Sequence, residues 1–509
     1  MQGKSKNLRL IYAANVLATA TFICSFAWAQ QVGSRSWPGY AHDPQHSGVS
    51  AVAAQPLDNI HWSTPVDLNP PGGEIFVHYG SPLITVANTV IVPVKTGADS
   101  FRVEAHSGTD GSLLWTETTN YHAPSAGFLP SFSPVLSHNR LYIPDRGGVM
   151  LVREDPDQPT GKVEKMVFYG RLNYEADPQA YNANVEINTP ISADSQGNIY
   201  FGFLVLGSTP LGLQGGLARI SLQGVGSSVP AAIATADPQV SQVNMCSAPA
   251  LSLDESAVYV GMNDPSAGYG YLVSLRSQTL QTLATVRLKD PSSGEDAWII
   301  NESSASPTVG PDGDVYLGVL ETPFPDHNDR GWLLHFDSTL AQSKIPGSFG
   351  WDDTASVVAA SLVSSYQGTS SYLVMTKYNN YATIGTGNGV NKVAVLDPNA
   401  TESDPILHSV NVMKEVLTIK GVTPDPDFPQ LPHAVREWCI NTAAVDPVTR
   451  SVMVNSEDGK LYRWDLNGNR FKQVITLSSG IGEAYTPTVI GPDGTTYAIN
   501  DAVLFAVGK

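Results

Sequence analysis

The 509-residue chain is short of cysteine, of basic residues and of long apolar runs. Cysteine occurs three times; Cys24 falls in an N-terminal apolar stretch, which leaves only Cys246 and Cys439 for a single bridge. Lys and Arg number 29 against 47 Asp and Glu, a formal charge of −18. A surface this acidic argues against nucleic acid and against anionic lipid, both of which are held by basic patches. Beyond residue 28 no run is apolar enough to span a membrane. GxSxG, HExxH, P-loop and Rossmann patterns are missing from any supporting context, so no local motif announces a catalytic centre.

What is present begins at the N-terminus. Lys4, Lys6 and Arg9 precede an uncharged stretch from Leu10 to Trp28, which ends in Ala27-Trp28-Ala29. That is the layout of a signal peptide with cleavage expected after Ala29, giving a periplasmic or secreted protein; an uncleaved anchor is the alternative reading. Without Lys4, Lys6 and Arg9 the chain carries 26 basic and 47 acidic residues, a formal −21.

The rest is repetitive. Glu483 to Val507 reads as a small meander: a polar lead-in, Pro487, a short apolar strand, the turn Gly491-Pro-Asp-Gly494, a second strand, a tight Asn500-Asp501 turn and a third strand. Pro-Asp-Gly closes a turn because Pro presets φ and Gly supplies a positive φ. Similar segments stand at Pro82, Pro134, Pro190, Pro249 and Pro307, with weaker copies at Ser361 and Ala443. The successive spacings are 52, 56, 59, 58, 54, 82 and 44 residues. Meanders cannot bury both faces alone, and four-stranded propeller blades repeat every ~40–50 residues plus loops. The chain therefore predicts an all-β, eight-bladed β-propeller of four-stranded blades, with seven blades as the alternative if the 82-residue interval is loop. The last repeat stops after three strands, and residues 60–66 read as a lone strand; that strand is expected to complete the last blade and close the ring. The organisation expected is a signal peptide over 1–29, a packed arm over 30–59 and one propeller over 60–509, monomeric. Cys246 and Cys439 fall in blades four and seven, on opposite sides of the channel, and read as two buried free thiols.

The arm holds Trp37, Pro38, His42, Asp43, His46, Ser47 and Gly48, and blade one ends in Ala105, Gly111 and Trp115 within FRVEAHSGTDGSLLW. These segments resemble exported propellers of the pyrroloquinoline-quinone (PQQ)-like, quinoprotein alcohol dehydrogenase type. The second segment is similar to their tryptophan-docking motif, which pins adjacent blades. His42, Asp43 and His46 can be read as metal ligands or as residues capping turns in a packed arm; the packed arm is expected. Asp425 and Asp427 in a Pro-rich loop suit a hard cation, but the loop lacks an EF-hand's glycine and distal Glu. Tyr366, Tyr372, Tyr378 and Tyr381 read as core of a degenerate sixth blade or as a sugar-binding platform.

In a propeller the lead-in to each innermost strand faces the channel mouth, so residues distant in sequence meet there. Glu186 and Glu483 each lie four residues before their anchors, and Asn188 and Asn441 two before. Glu302 and Glu437 belong to other lead-ins. The expected ligand site at the mouth is therefore Glu186, Asn188, Glu302, Glu437, Asn441 and Glu483, with Glu186, Asn188 and Glu437 as candidate metal ligands. Converging carboxylates repel unless a cation or a base sits among them, and Lys377, Arg436 and His433 are the available counter-charges. The resemblance implies calcium held by Glu, Asn and Asp, with PQQ above a Trp and beside a vicinal cysteine pair. No Cys-Cys occurs, and Trp438-Cys439 is the nearest approach. Two functions follow. One is a non-catalytic exported propeller binding a protein partner or a small ligand or cation at its mouth. The other is a PQQ- and calcium-dependent oxidoreductase acting on an alcohol or sugar.

Overall fold

The computed structural model describes residues 35–125, 127–301 and 303–509. Glu302 and the whole signal-peptide segment with its cleavage site lie outside the described residues. No helix among those described is long and apolar enough to cross a membrane.

The second strand of most repeats is buried along its whole length: Val315–Val319, Ser451–Asn455 and Thr496–Asn500 are buried at every position. Such strands need sheets packed on both faces, and the fold supplies them as eight antiparallel sheets. The first blade comprises Leu83–Ile84, Thr89–Gly97, Ser100–Ser107 and Leu113–Thr118, in sequence order from the channel outward. Blades two, six and seven repeat that order. Blades three and four split the innermost strand in two, either side of Pro190 and Pro249. Blade five has three strands, and residues 343–347 bridge its outer edge at Leu333 and Phe336. In blade eight, Asn59–Pro65 pairs antiparallel with Val503–Gly508 and supplies the fourth strand. The predicted count of eight and the predicted closure both hold.

The turns follow the sequence logic. Gly494 and Gly313 sit at φ +88° and +89°, and each donates its N–H to the glycine three residues before it at 2.9 Å. One register expectation fails. The innermost strand of blade six is Ser356–Ala359, and residues 360–362 form a turn, so the anchor lies at Ala355 and not at Ser361. The Ser361 alignment matched small and apolar residues one turn too late.

Blade contacts explain the docking motif. Trp115 donates from its indole to the Pro156 carbonyl in blade two at 2.8 Å, with the Arg153 guanidinium over its ring. Trp62, on the closing strand, donates to the Gly108 carbonyl of blade one at 3.0 Å. Tyr366 is half-buried, whereas Tyr372, Tyr378 and Tyr381 are buried, so the aromatic sixth blade is core and not a sugar platform.

The arm does more than cover apolar surface. Its backbone bonds to six innermost strands in turn, Trp37 with Ile84, Pro38 with Leu136, Pro44 with Leu251, Gln45 with Val309, Ser47 with Val357 and Gly48 with Val445, and then Gln55 bonds to Gly494 in the first turn of blade eight. These seven contacts reach every blade but the third. They satisfy the inner strand edges that a bare channel would leave to water. Asp43 accepts from the backbone N–H of Gln45 and Ser47 at 3.1 and 3.0 Å, which caps the turn. His46 is spent on the Pro307 carbonyl.

Candidate functional site

Lead-ins from blades one, six, seven and eight meet above the arm. His78 is 5% exposed; its Nε2 lies 2.6 Å from Glu483 Oε2, and its Nδ1 lies 3.9 Å from Asp352 Oδ2. Its ring stacks on Tyr485 at 4.1 Å and meets Phe128 edge-on at 4.6 Å. The Lys377 ammonium stands 4.2 Å from the Tyr485 ring centre. It is fully buried and has no hydrogen-bond acceptor among the described residues. A cation on an aromatic face gains a few kcal/mol at most, less than a buried ammonium needs.

Carboxyls crowd this lysine. Burial, only partly offset by Lys377, pushes Asp353 up to about 7. Burial and then the Glu321 charge do the same to Asp329, also to about 7. Glu437 is pushed up to about 8 by burial and then by Glu457, and Glu457 to about 7 by burial. Glu437, Cys439 and Glu457 form one cluster, with a ligand atom of each lying within 4.8 Å of the others. The Cys439 thiol is 3.6 Å from Glu457 Oε2, and the Glu437 N–H donates to Glu457 Oε1 at 2.8 Å. Cys439 is held as a thiol, its pKa well above normal, by burial and then by the Glu457, Glu483 and Glu437 charges.

The predicted site is thus partly assembled. Glu437 and Glu483 share one electrostatic cluster. Glu186 sits elsewhere on the rim; its carboxyl, raised by burial, faces His122, Asp99 and Arg146. Asn188 sits between two blades. Its amide donates to the Val243 carbonyl of the next blade at 2.8 Å, and its Oδ1 packs against Gly202, where a Cβ would come within 2.6 Å. Asn263 and Asn455 brace Ile299 and Ile499 in the same way. Asn188 therefore points between blades three and four.

Asn441 lies beneath the mouth, fully buried. Its Nδ2 donates to the Ser304 carbonyl at 3.1 Å, and its Oδ1 accepts from the Thr442 and Tyr40 hydroxyls. Ser304 in turn donates through its N–H and Oγ to Asp352 at 2.5 and 2.6 Å. A polar chain therefore runs from His78 through Asp352, Ser304 and Asn441 to Tyr40 of the arm.

Of the predicted counter-charges, Lys377 is the central one. Arg436 is bound to Asp425 and Asp427 at 3.2 and 2.7 Å, which removes that pair as a free cation site, and His433 is exposed. Cys246 and Cys439 are free and buried, as expected. Sequence reasoning missed His78 and Glu457. His78 was findable, since it lies four residues before Pro82, the offset of Glu186 and Glu483. Glu457 sits in a hairpin turn and carries no such signal.

No protein-family profile matches the sequence, and no curated protein matches it. Solved structures do. A europium-containing methanol dehydrogenase superposes over 92% of this chain and 89% of its own, with a TM-score of 0.54 at 12% identity. The shared feature is the β-propeller fold. The quinohemoprotein alcohol dehydrogenase of Comamonas testosteroni gives 0.54 at 11% identity, over 94% and 78% of the two chains. Sqt1 of Saccharomyces cerevisiae gives 0.52 at 12%, over 89% and 99%. At such identity the likeness is one of fold, and function has to be argued from the site.

Proposed function

We propose that this chain is an exported, non-catalytic propeller that binds a small ligand or cation, or a cationic segment of a partner protein, at its channel mouth. The observation that carries this reading is the surplus of carboxyls there. Asp353, Asp329 and Glu437 surround one buried cation, Lys377, that has no hydrogen-bond acceptor among the described residues, and Glu457 adjoins Glu437. Buried like charges are relieved by protonation or by an added cation.

The oxidoreductase alternative has the fold behind it and lacks the donor set. Calcium and PQQ would need open oxygen ligands and a flat slot. The Asn441 amide is spent inside the protein, the Asn188 amide donates across to the next blade, and the rings of His78 and Tyr485 stack on each other at the mouth. Trp438 packs against Tyr462 and Phe471, away from any slot. The residues present do not fit that pair of groups.

The test is thermal melting of residues 30–509 with calcium, magnesium, zinc, spermidine or a Lys-rich peptide, and with calcium plus PQQ. A saturable rise with at least one cation, changed in Glu437→Gln, is expected; saturation at a hundred times Kd corresponds to ~2.7 kcal/mol. A rise only with calcium plus PQQ would overturn the reading, as would no rise with any addition. Export is tested separately, by N-terminal sequencing of secreted protein, with Gln30 expected first.

A further inference from the structure

Resting on the mouth-binding reading, the geometry points to Glu437, Cys439 and Glu457 as a site for a thiophilic divalent metal ion of the zinc class. The three ligand atoms already lie within 4.8 Å of one another. The spacing of two of them, which an S–H···O hydrogen bond joins, also suits a shared ion. A thiolate at ~2.3 Å and a carboxylate oxygen at ~2.1 Å, set at a tetrahedral angle on one zinc ion, are about 3.6 Å apart. Cys439 Sγ and Glu457 Oε2 are 3.6 Å apart.

The backbone holds the two elements in place. The Glu437 N–H donates to Glu457 Oε1 at 2.8 Å, and Ser456 Oγ donates to the Glu437 carbonyl at 3.0 Å. One carboxylate oxygen of Glu457 is thereby fixed by the peptide and the other is turned toward the thiol. Cys439 and Glu457 are buried while Glu437 keeps partial exposure, so an ion has a route in past Glu437.

The nearest buried counter-charge is Lys377. Its ammonium is fully buried without a hydrogen-bond acceptor among the described residues, and its charge reaches both Glu437 and Cys439. Two carboxylates and a thiolate sum to −3, of which one ammonium offsets a single unit. Lys377 also faces Asp353 and Asp329, so it cannot balance the three ligands alone. The thiolate selects against calcium and magnesium, which take oxygen ligands, and in favour of zinc or cobalt. Three protein ligands leave one position for water or for a donor group of a bound partner.

Cobalt(II) titration of residues 30–509 tests this directly. Expected is one equivalent bound, with an intense near-ultraviolet thiolate-to-cobalt charge-transfer band that is abolished in Cys439→Ser and retained in Cys246→Ser. Glu457→Gln and the partly exposed Glu437→Gln should each weaken binding by about 100-fold or more, beyond the 10–100-fold typical of residues behind the ligands. Cobalt binding without the band, or with a band that survives Cys439→Ser, would overturn the site. The mouth-binding reading would stand in that case if calcium, spermidine or the Lys-rich peptide still raised the melting temperature. No cobalt binding would overturn the site too, and the same melting series would then decide the mouth-binding reading separately.

Discussion

His46 Nδ1 lies 2.7 Å from the Pro307 carbonyl oxygen and fastens the arm to the anchor of blade five. The carbonyl can only accept, so Nδ1 carries the proton and the imidazole is neutral. Burial pushes its pKa down to about 4. An unfolded histidine titrates near 6.5, so between pH 6.5 and 4 the unfolded state takes up a proton that the native state refuses. Stability is therefore full above pH 6.5 and falls as the pH drops, by about 3 kcal/mol once pH 4 is passed. Raised carboxyls elsewhere act in the opposite sense, so the comparison has to be differential. The gap in urea midpoint between wild type and His46→Gln should shrink from pH 7 to pH 4.5. A gap independent of pH would rule this linkage out.

An aromatic contact ties the closing strand to blade one. Trp62 of the closing strand lies on Gly111 of blade one, where an added Cβ would come within 2.6 Å of the indole, at φ +73°. Gly111→Ala therefore combines a left-handed backbone strain with a clash against a ring that cannot retreat. We expect a loss of about 2 kcal/mol or more, and about 3–5 kcal/mol for Trp62→Ala. Both should appear in equilibrium denaturation, with the double variant less than additive because the two residues touch.

Asp353 is the buried acid nearest to a decision between charge and proton. With its folded pKa raised to about 7, above the ~3.9 of an unfolded Asp, its stabilising contribution is present at acid pH. That contribution is lost as the pH rises from about 4 through 7, by roughly 4 kcal/mol. Asp353→Asn removes the titration. The variant should gain on wild type steadily from pH 4.5 to pH 8 in denaturant midpoints, while Lys377→Met, which withdraws the compensating charge, should lose ground over the same interval. Parallel pH profiles for all three proteins would show that Asp353 does not titrate in this range.

The fold was legible because its markers are local. Each proline anchor sits before an inner strand, and each Asp-Gly turn reports its own geometry. The closing strand was visible as a lone β pattern at one terminus and a missing strand at the other. Blade six misled because it lacks the proline, and Ala355 offers no chemical contrast with Ser361. The site was half legible for a related reason. Equal offsets from the anchors do bring Glu483 and His78 together, since repeats place equivalent residues at equal heights. But offset alone does not say where a side chain points: Asn188 turns between blades, and Glu457 enters from a hairpin that no repeat marks. The arm's path along six inner strands depends on backbone pairing, which residue identity hardly encodes.

The final prediction concerns the junction of arm and mouth. The Tyr40 hydroxyl is fully buried and shared among Asn441 Oδ1, Thr354 Oγ1 at 3.0 Å and the Ser304 carbonyl at 3.3 Å; burial pushes its pKa up to about 12. Tyr40→Phe keeps the ring and removes the hydroxyl. Asn441 Oδ1 retains the Thr442 hydroxyl at 2.9 Å, so the cost should sit toward the lower end of the ~1–3 kcal/mol for a buried group losing its partner. The loss falls on the arm before the ring, because the arm reaches the blades through isolated bonds while each blade has full ladders. Limited proteolysis should therefore cut the Phe variant between residues 35 and 55 faster than wild type, with the remainder of the propeller surviving intact. If cleavage rates in the arm are equal and the denaturation midpoints coincide, the hydroxyl does not anchor the arm, and the chain from Tyr40 to His78 is not a mechanical link between the two ends of the channel.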